Sequence, residues 1–386
     1  MRKRKRIGSM MMTITFLFLL TLGAQDGWAQ APKEVSMTSY GVGSQAYVFS
    51  AGIAEGVHKV SGIKTRVVPA GNDIGLFLPL KAGEVDFAIF TGGTGWFASH
   101  GAGDFAGAAY GPQPVRMLWR GGNLYVGYYS RGNAGLNKLG DLKGKRVAMV
   151  PGSTTINNLN TGALAFGGLK LEDVTVVNMP SHGAAGKAVV EGAVDMHNFG
   201  TTGSRPMEAA ASPQGIYWFD MDINDKEAWK RYYEWAPWTL ASLVTRYAGE
   251  EKGIKPFHAV TYPYNMWAME MTPVDTVYAY AKAIWDSYDD YKGRHAELPE
   301  WNHENMANFS GCYYPYHEGA VKLLKEKGKW TDKHEAFQQT QLDNERKRMA
   351  LWEKSKKEAT VKKIKIGSDE WKLFFWNQLI ASKLLQ

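Results

Sequence analysis

The sequence predicts an α/β protein with mostly parallel sheets, and two observations indicate this class. Short apolar segments alternate with amphipathic ones in the order strand, turn, helix, strand, and the crossovers are long enough for parallel pairing. Four strands end in turns rich in Gly, Ser and Thr, at 39–45, 91–95, 151–155 and 200–205. Because ligands of open α/β sheets bind beyond the carboxyl ends of the strands, these turns predict one cleft between two lobes.

The first of these turns follows a strand at 35–38 and precedes an amphipathic helix. Apolar residues recur at spacings of three and four over 46–60. Gly41 and Gly43 permit a tight turn, and Ser44 is a good N-cap. The free N–H groups at such a helix start carry partial positive charge and favour an anion such as a carboxylate. The alternative is a plain connection between strand and helix.

The next elements repeat this alternation. Asn72 or Asp73 is expected to cap the second helix, and Pro206 is well placed in the first turn of another. Strands are predicted at 64–68, 87–90, 115–119, 124–129, 147–150, 174–178 and 196–199. Further helices are predicted at 74–82, from 155 to about 166, at 183–191 and from about 206.

The C-terminal segment is charged and predicted to be helical over 333–363, with an imperfect apolar stripe. Apolar residues such as Trp371 and Phe375 then make the end of the chain too apolar for a free tail and too short to span a bilayer. We expect a helix docked on the body. The alternative is a helix that binds a partner or a membrane surface.

The N-terminus has the pattern of an export signal. A basic segment at 2–6 precedes an apolar segment at 10–22, and small residues lead to a predicted cleavage site near Ala29. The alternative is an uncleaved anchor. The mature chain is therefore expected to be soluble and periplasmic. Cys312 is the only cysteine, so an internal disulfide is excluded.

The formal net charge of +7 comes from the two ends of the chain. Basic residues cluster at 2–6 and from Lys325 onward, so no basic face is expected across the body of the fold. The distribution argues against a nucleic-acid-binding protein, which needs such a face.

The sequence contains no evident catalytic or metal-binding arrangement. The nine histidines are scattered, and none is paired with Cys, Glu or Asp at a metal-ligand spacing. Ser153 lacks the Gly-x-Ser-x-Gly context of a nucleophile elbow. His182 either faces the cleft or is a solvated loop residue, and His317 is expected to cap or pack the following helix. The sequence therefore predicts no catalytic residue, metal or cofactor.

Several segments carry a family resemblance when they are taken in order: the first turn and helix, 83–90, 139–147, 151–153, 191–195 and 314–320. They resemble the solute-binding subunits of tripartite (TRAP) transporters of the TAXI family, over roughly residues 33–330. The segment Tyr-Pro-Tyr-His-Glu-Gly-Ala at 314–320 is similar to that family's Pro-x-His-x-Gly-Ala. The resemblance implies a two-lobed periplasmic-binding-protein fold of the type II kind, each lobe a mostly parallel sheet flanked by helices.

These observations divide the chain into a signal peptide, two lobes and a helical C-terminal extension. The expected ranges are 1–29 for the signal peptide, 30–129 and 235–330 for lobe I, 130–234 for lobe II and 331–386 for the extension. The crossings between the lobes are expected near 129–133 and within 219–262, where a hinge would let the lobes close on ligand.

The sequence departs from the family pattern at ligand-facing positions. Ser44, Gln45 and Ala46 stand where the family more often has Gly, a small or β-branched residue, and an aromatic. Val48 replaces a usual Pro, and the turn 200–205 is longer. The ligand of better-known members is therefore not carried over to this chain.

The resemblance implies a monomeric solute-binding subunit. It would capture a small organic acid anion and deliver it to the membrane subunits of a TRAP-type transporter coupled to sodium or protons. One alternative is an extracytoplasmic sensing subunit that docks on a receptor. A secreted enzyme on the same fold is the other alternative, and the missing nucleophile–base pair argues against it.

The candidate ligand-binding residues come from the four turns and from the cap of the second helix. One wall of the cleft is expected to contain Gly43, Ser44, Gln45, Tyr47, Asn72, Thr91, Gly92 and Gly93. The opposite wall is expected to contain Ser153, Thr154, Thr155, Gly200, Thr201, Thr202 and Arg205. Backbone N–H groups would dominate carboxylate binding. Arg205, the basic side chain in these turns, either grips the carboxylate in bidentate fashion or pairs with Glu208.

Overall fold

The computed structural model describes residues 32–385, and the predicted signal peptide lies outside the described residues. Within that range the strands are β1 Glu34–Tyr40, β2 Lys64–Ala70, β3 Phe87–Thr91, β4 Val115–Arg131, β5 Arg146–Met149, β6 Thr175–Asn178, β7 His197–Gly200, β8 Ile216–Trp218, β9 Leu240–Val244 and β10 Phe257–Met269.

The helices flank these strands. They are α1 Gln45–Ser61, α2 Asp73–Ala82, α3 Gly92–His100, α4 Thr154–Phe166, α5 His182–Glu191, α6 Ser204–Ala211, α7 Lys226–Tyr233, α8 Val274–Asp286, α9 Tyr288–Tyr291, α10 His303–Met306, α11 Glu318–Glu326, α12 Asp332–Val361 and α13 Asp369–Ala381. The predicted α/β alternation is confirmed.

The strands form a mixed sheet with the order β2-β1-β3-β10-β4-β7, and a separate parallel pair of β5 and β6. The pairings of β1 with β2 and with β3 are parallel, as the crossovers predict. Strand β10 runs antiparallel to both β3 and β4. Strands β7 and β8 add to β4, and β9 adds to β10, all antiparallel. The fold is the expected two-lobed α/β architecture. The main sheet is mixed rather than mostly parallel, because the long strands β4 and β10 run antiparallel to each other and to their other neighbours.

The long strands β4 and β10 change partners along their length. The 264–267 segment of β10 pairs with β3, and its 257–261 segment pairs with β9. Strand β4 pairs with β10 over much of 115–126 and with β7 and β8 over 126–131. The register between them shifts at Pro263 and Asn265, opposite Gly121 and Gly122. The sequence predicts two short strands here, because two glycines interrupt the apolar pattern. Trp301 fills the space that a side chain at Gly121 would need.

The predicted helix caps are confirmed at the start of the first two helices. The Ser44 hydroxyl accepts a hydrogen bond from the Tyr47 N–H at 3.2 Å, and the side-chain oxygen Oδ1 of Asn72 accepts one from the Gly75 N–H at 2.7 Å. Thr91 caps α3 in the same way. Each cap fixes the point where a strand end turns into a helix, and therefore where the first helical N–H groups lie.

The C-terminal helices are docked on the body. Glu345 of α12 makes two hydrogen bonds to the buried Arg116 guanidinium, at 2.6 and 3.0 Å. The Gln338 amide pairs with both backbone groups of Tyr316, at 2.8 and 2.9 Å. The Trp371 indole of α13 donates to the Ala106 carbonyl at 2.7 Å. None of the helices in the described part of the chain is both long and apolar enough to cross a membrane.

Candidate functional site

The N-termini of four helices converge on one small cavity. The first turns of α1, α3, α4 and α5 contribute to it, together with the middle of β4 and β10. Its volume is about 30 Å³, enough for about two water molecules at most. We call it the inner cavity; it is lined by Tyr40, Ser44, Gln45, Thr91, Leu124, Val126, Thr155, Ile156, His182, Asn198, Phe199, Gly200, Tyr262 and Tyr264.

A larger depression lies next to the inner cavity and shares Tyr40, Ser44 and His182 with it. This outer depression has a volume of about 510 Å³. Its other lining residues are Gly41, Val42, Pro69, Ala70, Gly71, Ser181, Gly183, Ala184, Lys187 and Arg205. The two spaces together form a cleft between the turn before α1 and the start of α5.

The inner cavity brings together five of the predicted site residues: Ser44, Gln45, Thr91, Thr155 and Gly200. They come from four different turns, which the sequence predicts to face one cleft. A side chain at Gly200 would overlap the Gln45 carboxamide, so a glycine is needed there for the two walls to meet.

Sequence reasoning considers Asp73 only as a helix cap, but it joins the two walls. The carboxylate is fully buried and accepts hydrogen bonds from the Tyr40 hydroxyl, from the Ser153 hydroxyl at 3.2 Å and from the Thr155 N–H at 3.0 Å. Burial raises the pKa of Asp73, and these hydrogen bonds oppose the rise. The start of α4, predicted to offer free N–H groups, is therefore already bound to a carboxylate of the chain at Thr155.

A second contact between the walls centres on Gln45. Its amide nitrogen donates to the Thr202 hydroxyl at 2.5 Å and to Glu297 at 2.8 Å, and Thr202 itself donates to Glu297. Burial raises the pKa of Glu297. Nearby, the Ser204 hydroxyl donates to the Gly43 carbonyl at 2.5 Å. These polar contacts hold the cleft closed in this structure.

Arg205 does not line the inner cavity. Its guanidinium forms an ion pair with Glu208 at 2.6 Å, which is the alternative that the sequence leaves open. The side chain also borders the outer depression, on the same side as Lys187.

The remaining predicted residues lie around the cleft rather than in the inner cavity. Thr154 bonds to Asp104, and the Thr201 hydroxyl donates to the Arg246 carbonyl. Asn72 donates to the Pro151 carbonyl at 3.1 Å. Gly92 packs close to Tyr314, and Gly93 lies close to Trp238. Tyr47 is half-buried on α1, outside the lining of either space.

Sequence reasoning misses the aromatic lining of the inner cavity. Tyr262 and Tyr264 come from β10, where the strand pattern gives no sign of a binding role. Phe199 stacks on His182, with ring centroids 4.2 Å apart. The interpretation of His182 as a solvated loop residue is wrong, because its ring packs against Phe199 and lines both spaces.

Within residues 32–385 no group of three or more His, Cys, Asp or Glu side chains is arranged to hold a metal ion. No Arg or Lys lines the described inner cavity, and its polar groups are hydroxyls, amides and the His182 imidazole. The site can therefore bind a small molecule by shape, hydrogen bonds and helix N-termini.

Comparison with protein families gives a match to the NMT1-like family over residues 38–328. No curated protein sequence matches the chain. Among solved structures, the periplasmic binding protein BugD is similar over 76% of this chain and 97% of its own length, with 14% identity and a TM-score of 0.50. The alkanesulfonate-binding protein SsuA from Xanthomonas axonopodis pv. citri, bound to MOPS, has 15% identity and a TM-score of 0.43, over 80% of this chain and 86% of its own. At 14% identity, the likeness to BugD concerns the fold.

Proposed function

This chain belongs to the NMT1-like family, and from that premise we propose that it is a periplasmic solute-binding protein for a small organic acid anion. The observation that carries the proposal is the convergence of four helix starts, from α1, α3, α4 and α5, on one closed cleft. Such helix starts favour negative charge. The residues that line the cleft support binding rather than catalysis.

The outer depression is the part of the cleft best suited to the carboxylate. It contains the start of α5 and borders Arg205 and Lys187. Each of these side chains is paired with a glutamate on its own helix, Glu208 and Glu191, at 2.6 and 3.4 Å. A ligand carboxylate would replace these partners without leaving a buried charge unpaired, and the rest of the ligand would extend toward the inner cavity.

We also place the lobe boundary within the two long strands. Because β10 exchanges β9 for β3 between 261 and 264, and β4 gains β7 and β8 beyond 125, the segments 121–125 and 261–264 are the proposed hinge. The first crossing then falls earlier than the 129–133 expected from the sequence. Opening there would separate the walls that now leave about 30 Å³ between them.

The recipient of the ligand is proposed to be the membrane part of a tripartite secondary transporter. The order of the family-like segments, from the first turn to Tyr314–Ala320, supports this assignment. The protein is expected to co-purify with membrane subunits encoded beside its gene. This co-purification should be lost when the ligand is removed. Co-purification with a receptor instead would favour a sensing role.

The binding site itself is tested with Gly43→Val in a thermal-shift screen of small carboxylates. Gly43 has a φ of 90° and lies against Ser204 across the cleft. The variant is expected to lose the stabilisation by carboxylates that the wild type shows. Gly253→Val is the matched control, because Gly253 has a φ of 79° with open space around it. Equal carboxylate responses in wild type and Gly43→Val would exclude the first turn as the site.

A carboxylate in the outer depression makes Arg205 a second test. Loss of a bidentate partner costs on the order of 2–5 kcal/mol, or about 30-fold or more in affinity. Calorimetry with the acid found in the screen should show this loss for Arg205→Ala and a partial recovery for Arg205→Lys. Unchanged affinity in the alanine variant would leave Arg205 as the partner of Glu208 alone.

A further inference from the structure

His182 stands where the inner cavity meets the outer depression, and its ring is held in place from two sides. It is the first residue of α5 and lines both spaces. Its ring stacks on Phe199, with 4.2 Å between centroids and 8° between planes. Tyr40 lies on another side, at 6.3 Å between centroids. A ligand that extends from the outer depression into the inner cavity would lie beside this imidazole.

Hydrogen bonds behind the ring begin with Asn160, whose amide orientation is fixed. The side-chain oxygen Oδ1 of Asn160 accepts a hydrogen bond from the backbone N–H of Asn198 at 3.1 Å. The positions of Oδ1 and the side-chain amide nitrogen therefore cannot be exchanged. The amide nitrogen donates to the Ala148 carbonyl at 2.8 Å and lies 3.1 Å from Nδ1 of His197. Because this nitrogen is a donor, Nδ1 of His197 must accept and carries no proton.

The proton of His197 is therefore on Nε2, and this atom lies 3.0 Å from Nδ1 of His182. Nδ1 of His182 accepts a hydrogen bond from this N–H group and therefore carries no proton itself. The single ring proton of a neutral His182 is then on Nε2. Burial lowers the pKa of His182 to about 3 and lowers that of His197 well below its usual range, so both rings are neutral. The hydrogen bond of the His182 ring within residues 32–385 is made at Nδ1, so Nε2 stays available to donate to a ligand.

The electrostatic surroundings of the inner cavity disfavour a second negative charge. No Arg or Lys side chain in the described part of the chain lines it. The Asp73 and Glu297 carboxylates stand close behind its walls, and both contribute, after burial, to a raised pKa of Tyr264. A neutral N–H group can donate a hydrogen bond to an uncharged acceptor, such as a ketone oxygen, without this repulsion.

We propose that His182 determines specificity by presenting a fixed Nε2–H donor, which selects organic acids with one carboxylate and an uncharged acceptor at the other end. This inference rests on the proposed function, because it assigns the inner end of the same ligand. The carboxylate occupies the outer depression, and the acceptor group meets His182.

The proton position is tested without any ligand. Two-bond ¹H–¹⁵N correlation spectra of ¹⁵N-histidine-labelled protein at pH 7 distinguish protonated from unprotonated ring nitrogens, and a His182→Phe sample assigns the signals. The expected result is a protonated Nε2 and an unprotonated Nδ1 in both His182 and His197. A proton on Nδ1 of His182, or an imidazolium, would overturn the proposal.

The selectivity is tested by calorimetry with three acids of similar size: levulinate, pentanoate and succinate. Levulinate has a ketone at its far end, pentanoate lacks an acceptor there, and succinate has a second carboxylate. Levulinate is expected to bind about 5- to 10-fold more tightly than pentanoate, the usual effect of one hydrogen bond, and more tightly than succinate.

His182→Phe keeps the stacked ring and removes the donor. It is expected to reduce the affinity for levulinate to that for pentanoate, whereas the exposed control His58→Phe leaves the ratio unchanged. An unchanged ratio in His182→Phe, or tighter binding of succinate than of levulinate by the wild type, would overturn the selectivity alone. Binding of none of the three acids would overturn the organic-acid function and the selectivity that rests on it.

Discussion

At the scale of single residues, Asp73 shows how a side chain of the protein can occupy an expected anion site. The sequence predicts that backbone N–H groups of both walls, including those of 153–155 at the start of α4, bind a carboxylate, and the structure supplies one to Thr155 from α2. A helix N-terminus favours negative charge from any source, so the same physical argument covers a ligand and an internal aspartate. In our proposal the ligand carboxylate therefore occupies the outer depression rather than the start of α4.

Asp73→Ala is expected to lower the free energy of unfolding by about 2 kcal/mol. The substitution leaves the Tyr40 hydroxyl and the Thr155 N–H without their buried acceptor, which costs about 1–3 kcal/mol for each group. Relief from burying a charge offsets part of this cost. Urea unfolding measures the difference. Asp289→Ala, at an exposed position, should leave the urea midpoint nearly unchanged, and an equally small effect at Asp73 would contradict the inferred role.

At the scale of secondary-structure elements, the helices and their caps follow local sequence rules, but the long strands do not. Ser44 and Asn72 cap their helices as predicted, since a side-chain oxygen three residues before an N–H needs no distant partner. Strand β4 continues through Gly121 and Gly122, where a local pattern indicates a break. The pairing with β10 holds these glycines in the sheet, and no local pattern contains that pairing.

Docking of α12 provides a prediction for one element. Glu345 and Arg116 form a nearly fully buried ion pair, with side chains 7% and 6% exposed. Glu345→Gln is expected to reduce the free energy of unfolding by about 3 kcal/mol, because the buried Arg116 guanidinium then keeps only the exposed Glu270 as a carboxylate partner. Glu353→Gln on the exposed face of the same helix should cost less than ~1 kcal/mol. Similar values for both variants in chemical unfolding would mean that the pair does not hold α12 to the body.

At the scale of the whole molecule, the structure is a closed cleft whose walls are joined by polar contacts. The separations along the chain between the partners of these contacts are large, from 80 residues for Asp73 and Ser153 to 161 for Gly43 and Ser204. Contacts of this kind can break together when two lobes separate about a hinge, because each is a side-chain hydrogen bond and none is part of the sheet.

Gly200→Ala is expected to shift the molecule toward an open form. The added methyl group would overlap the Gln45 carboxamide, which must then leave Thr202 and Glu297. Small-angle X-ray scattering should show a larger radius of gyration than for the wild type, with the fold retained. Gly183→Ala is the control, since nothing lies within 4 Å of the added carbon. Identical scattering for the two variants would show that the Gln45 contact does not control closure.

The sequence by itself determines the α/β class, the order of the elements, the helix caps and the four turns that meet at the cleft. These features depend on periodicity and on side chains within a few residues of each other, so a single segment contains the necessary information. The same rules also place Ser44, Gln45, Thr91, Thr155 and Gly200 at strand ends, where a cleft is expected.

Only the tertiary structure decides which groups in the cleft remain free to bind. Asp73 takes the Thr155 N–H, Glu208 takes Arg205, and the relay from Asn160 leaves His182 with a free donor. Each outcome depends on a partner's position and on burial, which set hydrogen bonding and charge. Arg205 and Glu208 are neighbours on one helix. The other partners are far apart in the sequence and are brought together by the tertiary fold, which the periodicity of a single segment does not predict.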